Sequence, residues 1–243
     1  MKTILISILA SLALGGGIVW FLANRPSALH GKTLVLLEAT SSVAGDVRSN
    51  AHDAVETNAG SLERGDEMIL VPITSDAATE AAGKVLRLRI SNKRKAYDAD
   101  LKQARAKLKT MLDQMRDDAV ARPYKRTDLV GTLRLAAEER NTSDTTEVFT
   151  IIILSDMIND TPQLNFMTHA ALVNESTARK FADQLMAGRE KTWAGAHVFL
   201  GQLRSKDPKR VKLERRDAIR SFWIEYFTAG GAAEVIFATD GVG

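Results

Sequence analysis

The stretch Val148-Phe-Thr-Ile-Ile-Ile-Leu154 sets the fold class, because a run interrupted by Thr150 alone has no face to offer solvent. A strand reads this way when both sides of its sheet are covered, the condition of a parallel sheet with helices on each face. Thr33-Leu-Val-Leu-Leu37 and Met68-Ile-Leu-Val-Pro-Ile73 have the same character, with Pro72 marking a break near the end of the second. Ala196-His-Val-Phe-Leu200 and Ala233-Glu-Val-Ile-Phe-Ala238 also read as strands. By contrast, Val85-Leu-Arg-Leu-Arg-Ile90 alternates apolar and basic residues, the pattern of a half-exposed edge strand.

Helical spacing fills the intervals. Val43 to Glu63 carries Val47, Ala51, Val55 and Leu62, with Gly65 as its stop. Lys95 to Arg122 carries Tyr97, Leu101, Ala104, Leu108, Met111 and Met115. That heptad-like stripe is shorter than about four heptads, so it reads as a helix lying on a sheet and not as a coiled coil. Leu129 to Arg140, Thr177 to Gly188 with Asn174 and Ser176 as candidate caps, and Leu213 to Thr228 complete the set. Six strands alternating with helices define an α/β, doubly wound sheet, and 243 residues with 45% hydrophobic content suffice for one such core.

Side-chain oxygen accumulates where these elements meet. Glu38-Ala-Thr-Ser-Ser42 follows the first strand, Ser155-Asp156 follows the fourth, and Thr127 precedes the helix from Leu129. In an open α/β sheet, the crevice beyond the carboxyl ends of the strands is where ligands bind. Taken singly, Thr40, Ser42 and Thr127 are ordinary turn and cap residues. Joined by two carboxylates, they are a set of hard oxygen donors suited to one hard cation.

The order and type of these residues resemble the von Willebrand factor type A domain. Its metal-ion-dependent adhesion site reads Asp-x-Ser-x-Ser, a distant Thr, and Thr-Asp-Gly after a later strand. The resemblance spans about residues 32 to 239. It implies a mostly parallel six-stranded sheet with helices on both faces and one antiparallel edge strand, the part that Val85 to Ile90 would play. Thr40 and Ser42 stand at the two serine positions, Thr127 at the threonine and Asp156 at the later aspartate. Glu38 replaces the first aspartate, and its extra methylene moves the carboxylate by roughly 1.5 Å. Ser155 and Met157 replace the usual Thr and Gly. The implied metal set is therefore Glu38, Thr40, Ser42, Thr127 and Asp156, holding Mg²⁺ or, alternatively, Mn²⁺, with an open position for an acidic side chain of a protein partner.

The resemblance implies a binding module and not an enzyme. Two other readings stay open: a structural subunit whose metal site is inactive because of Glu38, and a metal-dependent hydrolase or phosphotransfer enzyme, for which Asp128 and Asp160 are the nearest candidate bases. The chain has no cysteine, so zinc clusters, disulfides and thiol catalysis are excluded. The histidines, at 30, 52, 169 and 197, lack metal-ligand spacing. Neither a Gly-x-Ser-x-Gly elbow nor a phosphate-binding glycine loop is present. A net charge of +3 is too small to mark a nucleic-acid protein. The basic stretch Arg204 to Arg216 is interleaved with acids and reads as a solvated loop and helix entrance, with phosphate headgroups as the alternative.

At the amino terminus, Ile4 to Ala23 contains no charge, and about 20 apolar residues span a bilayer. Residues 1–24 read as an anchor, 25–31 as a linker and 32–243 as the domain. A cleaved signal after Ala13-Leu-Gly15 is the rival. Cutting there would expose Ile18-Val-Trp-Phe-Leu-Ala23 at a new terminus, so a retained anchor is expected. That implies a single-pass protein of a bacterial inner membrane; Lys2 and the amino group oppose Arg25 and Lys32, so charge hardly orients it, and the resemblance of the segment to export signals points the domain to the periplasm. Ser7, Ser11 and Gly15 share one helical face and would permit self-association.

Overall fold

The computed structural model describes residues 31–121, 126–141, 148–207 and 211–239. The predicted membrane span and its small-residue face lie outside these. Among the described residues, no helix is long and apolar enough to cross a membrane.

Six strands form one sheet: β1 (Gly31–Glu38), β2 (Glu67–Ile73), β3 (Leu86–Arg89), β4 (Val148–Ser155), β5 (His197–Gln202) and β6 (Glu234–Thr239). Their spatial order is β3-β2-β1-β4-β5-β6. Every pairing is parallel except β2 with β3, so the basic-and-apolar run forms the antiparallel edge expected of it. Leu88 of β3 is buried, while Arg87 and Arg89 face solvent.

The period-two alternation of the strands divides the core in two. On one face, Leu34, Leu36, Ile151 and Ile153 pack beneath three helices, α3 (Leu129–Asn141), α4 (Glu175–Met186) and α5 (Leu213–Ala229), through Leu133, Ala182, Phe222 and Trp223. On the other, Val35, Leu37, Ile152 and Leu154 meet α1 (Gly45–Gly60) and α2 (Tyr97–Ala121) through Val47, Ala51, Val55, Leu108 and Leu112. The stripe on α2 thus lies on the sheet.

Pro72 is accommodated by geometry. Ile73 O accepts from Ala39 N, so Ile73 points its backbone groups toward β1 and Pro72 points away from it. On that outer side β3 pairs no further than Leu70, so no ladder donor is needed at Pro72.

Local differences from the sequence reading have simple causes. Helix α1 stops at Gly60 with Ser61 as its cap, and Gly65, at φ 87°, serves instead in the turn into β2. Asn174 caps α4 by accepting from Thr177 N at 3.0 Å, leaving Ser176 inside the first turn. Residues 77–84 form a π-helical turn and a 3₁₀ turn, which carry no apolar period long enough to read. The basic stretch is partly structural: Arg204 pairs with Asp46 at 2.6 Å, and Arg215 donates to the carbonyls of Phe166 and His169.

Candidate metal centre

Strands β1 and β4 are neighbours at the middle of the sheet, where the strand order reverses. Leu37 registers with Leu154, so Glu38 and Ser155 reach the carboxyl edge side by side. Ser155 Oγ donates to Glu38 Oε2 at 2.6 Å. Thr40 Oγ1 hydrogen-bonds Glu38 Oε1. Thr127 Oγ1, from the loop before α3, reaches the same oxygen at 3.2 Å. Thr40 Oγ1 also lies 2.9 Å from Ser42 Oγ and 3.2 Å from Thr127 Oγ1. Each hydroxyl that gives its proton to Glu38 keeps oxygen lone pairs for another partner.

Backbone contacts bring the loops together. Asp160 N donates to Thr127 O at 2.8 Å, and Asp128 N to Thr74 O at 2.8 Å. Lys206 N donates to Ser42 O at 2.6 Å, joining the loop after β5 to the one after β1. Asp156 is nearly buried, and its Oδ1 accepts from Ile158 N at 3.1 Å. Thr40, Ser42, Thr127 and Asp156 line one cleft of about 430 Å³, walled further by Arg126, Asp160 and Lys206. Glu38, with no exposed surface, lies beneath the hydroxyls.

Burial first, and the Asp156 charge second, push the Glu38 carboxyl up to about 8, against the three hydroxyls that favour its ionised form. In the protonated acid one of those contacts runs the other way, with the carboxyl donating.

Met157, where the resemblance expects glycine, has φ 64° and a fully buried side chain. Trp223 Nε1 donates to its carbonyl at 2.9 Å and holds this left-handed turn beside Asp156. A left-handed L-residue costs about 1–2 kcal/mol that glycine does not incur. Met157→Ala should therefore destabilise the protein by about 2–4 kcal/mol, and Met157→Gly by about 1 kcal/mol less, reversing the usual order of Ala and Gly. Urea unfolding of the two variants checks this ranking.

Ser155 is the site residue that the sequence reading left outside its metal set. Its signal was its place beside Asp156 at a strand end, but spacing alone does not reveal that its hydroxyl turns inward to Glu38. The two candidate bases differ in place: Asp128 caps a helix, and Asp160 lies in the cleft wall. Asp128 accepts from Gly131 N at 2.9 Å and Ala77 N at 3.2 Å, capping α3, and a Cβ at residue 131 would lie 2.0 Å from its carboxylate. Asp160 accepts from Asn165 Nδ2 at 2.7 Å. His52 is buried on α1, and burial, followed by Arg116 and Arg48, lowers its pKa to about 4, so it is uncharged at neutral pH.

Among the described residues, no three His, Cys, Asp or Glu side chains gather as a metal site. The donors here are instead hydroxyls with the Asp156 carboxylate, backed by Glu38, and this all-oxygen set fits a hard divalent ion.

No protein-family model matches the chain, nor does any curated protein. Solved structures that are similar include an aerotolerance-related membrane protein from Bacteroides fragilis, at 11% identity and TM-score 0.43, covering 85% of this chain and 90% of that one. The conserved hypothetical protein BatB from Bacteroides thetaiotaomicron is similar at 10% identity and TM-score 0.44, covering 86% and 90%. The human COPII-coat protein Sec24c gives 12% and 0.46, covering 91% of this chain and 31% of its own. Likenesses this shallow carry no functional information.

Proposed function

We propose that the chain is a membrane-anchored, von Willebrand type A-like module that binds a protein partner through Mg²⁺, or Mn²⁺, within a bacterial envelope assembly. The observation that supports this reading is the meeting of Thr40, Ser42, Thr127 and Asp156 in one cleft above Glu38. Thr40, Ser42, Thr127 and Asp156 would hold the ion, and Glu38 would orient the hydroxyls from below. When bound, the ion supplies a positive centre with exchangeable positions for a partner's carboxylate. The segment at residues 4–23 would anchor the domain to the membrane, and its resemblance to an export signal favours the periplasmic side.

A second reading, a structural subunit with an inactive site, is favoured by one feature: the Glu38 carboxyl turns to the hydroxyls of Thr40, Thr127 and Ser155 and has no surface of its own in the cleft. No comparable feature favours hydrolytic or phosphotransfer chemistry: Asp128 caps α3, and Asp160, in the cleft wall, accepts from Asn165.

Cross-linking of the full-length protein in its native membranes separates the two. A partner adduct that disappears with a chelator, and in Asp156→Ala, is the expected outcome. An adduct indifferent to both would favour the structural subunit.

A further inference from the structure

We infer that Arg48 determines which size of cation the cleft accepts, by fixing the loop that presents Thr40 and Ser42; the inference rests on the metal-binding reading above. Arg48 lies in the first turn of α1, and its Nη2 donates to Thr40 O at 2.8 Å and to Val43 O at 3.1 Å. These two carbonyls bracket Ser41 and Ser42. Ser42 O in turn accepts from Lys206 N at 2.6 Å and Ser205 Oγ at 3.3 Å. The loop is thus held both by one guanidinium and by the segment after β5. Arg48 is half-buried and touches no cleft-lining side-chain oxygen, so it is a positioning residue.

A fixed loop matters unequally to different ions. Mg²⁺ requires near-octahedral oxygens at about 2.0–2.1 Å, whereas Ca²⁺ accepts about 2.3–2.6 Å and irregular geometry. Loosening the loop should therefore penalise the smaller ion more. Removing a positive charge near a cation raises affinity for both ions alike, so the ratio of the two affinities isolates positioning from electrostatics. Lysine keeps the charge but replaces the rigid, planar Nη2, whose two hydrogens serve both carbonyls, with a freely rotating ammonium on a flexible stem.

The test is calorimetric titration of the full chain in detergent with MgCl₂ and, separately, CaCl₂, for wild type, Arg48→Ala and Arg48→Lys, with circular dichroism confirming the fold of each. Arg48→Ala should lose roughly tenfold or more in Mg²⁺ affinity, with Ca²⁺ affinity changed by less than about threefold, and Arg48→Lys should fall between. If the alanine variant does not fold, the ratio in Arg48→Lys decides. Equal changes for both ions in a wild type that binds them would overturn the role of Arg48 alone. A wild type that binds neither ion would overturn the metal reading, and this inference with it.

Discussion

The metal-free protein should be less stable near about pH 9 than near about pH 5, by on the order of several kcal/mol, and Glu38→Gln should remove most of that difference. The sign follows from the direction of the shift. The folded-state pKa of Glu38 is raised from its ordinary 4.5 to about 8, by burial and then by Asp156. Between those values the native state keeps a proton that the unfolded chain has released. The stabilisation is therefore complete below about pH 4.5 and is lost as pH rises through about 8. Saturating Mg²⁺ should oppose this loss, because a cation above the carboxyl favours its ionised form. Urea denaturation across this range, with and without the ion, measures the effect. An equal pH slope in Glu38→Gln would show that Glu38 is not its source.

Asp156→Ala should produce the largest loss of ion affinity, roughly two orders of magnitude, because it removes the nearly buried cleft carboxylate that is proposed to hold the ion. It should also move the pH at which the metal-free protein loses its Glu38-dependent stability to a lower value. The like charge is the second cause of the raised Glu38 pKa, so its removal eases ionisation. The lost hydrogen bond from Ile158 N costs about 1 kcal/mol at all pH values and so does not imitate the shift. A variant that binds Mg²⁺ weakly but retains the wild-type pH profile would separate the two roles of Asp156.

Much of this was legible because it follows from burial. Val148 to Leu154 has no polar face, so it had to lie inside a covered sheet, and Val85 to Ile90 has one, so it had to lie at an edge. The grouping of Thr40, Ser42, Thr127 and Asp156 was legible because the carboxyl ends of parallel strands share one edge. Side-chain direction was not. Whether Glu38 reaches upward to an ion or stays beneath the hydroxyls depends on the placement of Ser155 and Thr127, both more than 80 residues away in sequence. The helix stop at Gly60 was hidden for another reason: Leu62 is buried and continues the apolar rhythm past the last helical turn. The left-handed Met157 was equally opaque, since its carbonyl is held by Trp223 on α5, a contact 66 residues distant.

The most direct test of the metal-binding account is calorimetric titration of Mg²⁺ into the full-length protein near neutral pH, repeated in two buffers with different ionisation enthalpies. Binding should be accompanied by release of close to one proton, because the ion ionises a Glu38 that is largely protonated without it. Asp156→Ala should weaken the binding by roughly two orders of magnitude and reduce the proton release, and Ser42→Ala should weaken the binding less. No binding to the wild type, or binding that neither substitution alters, would contradict the account.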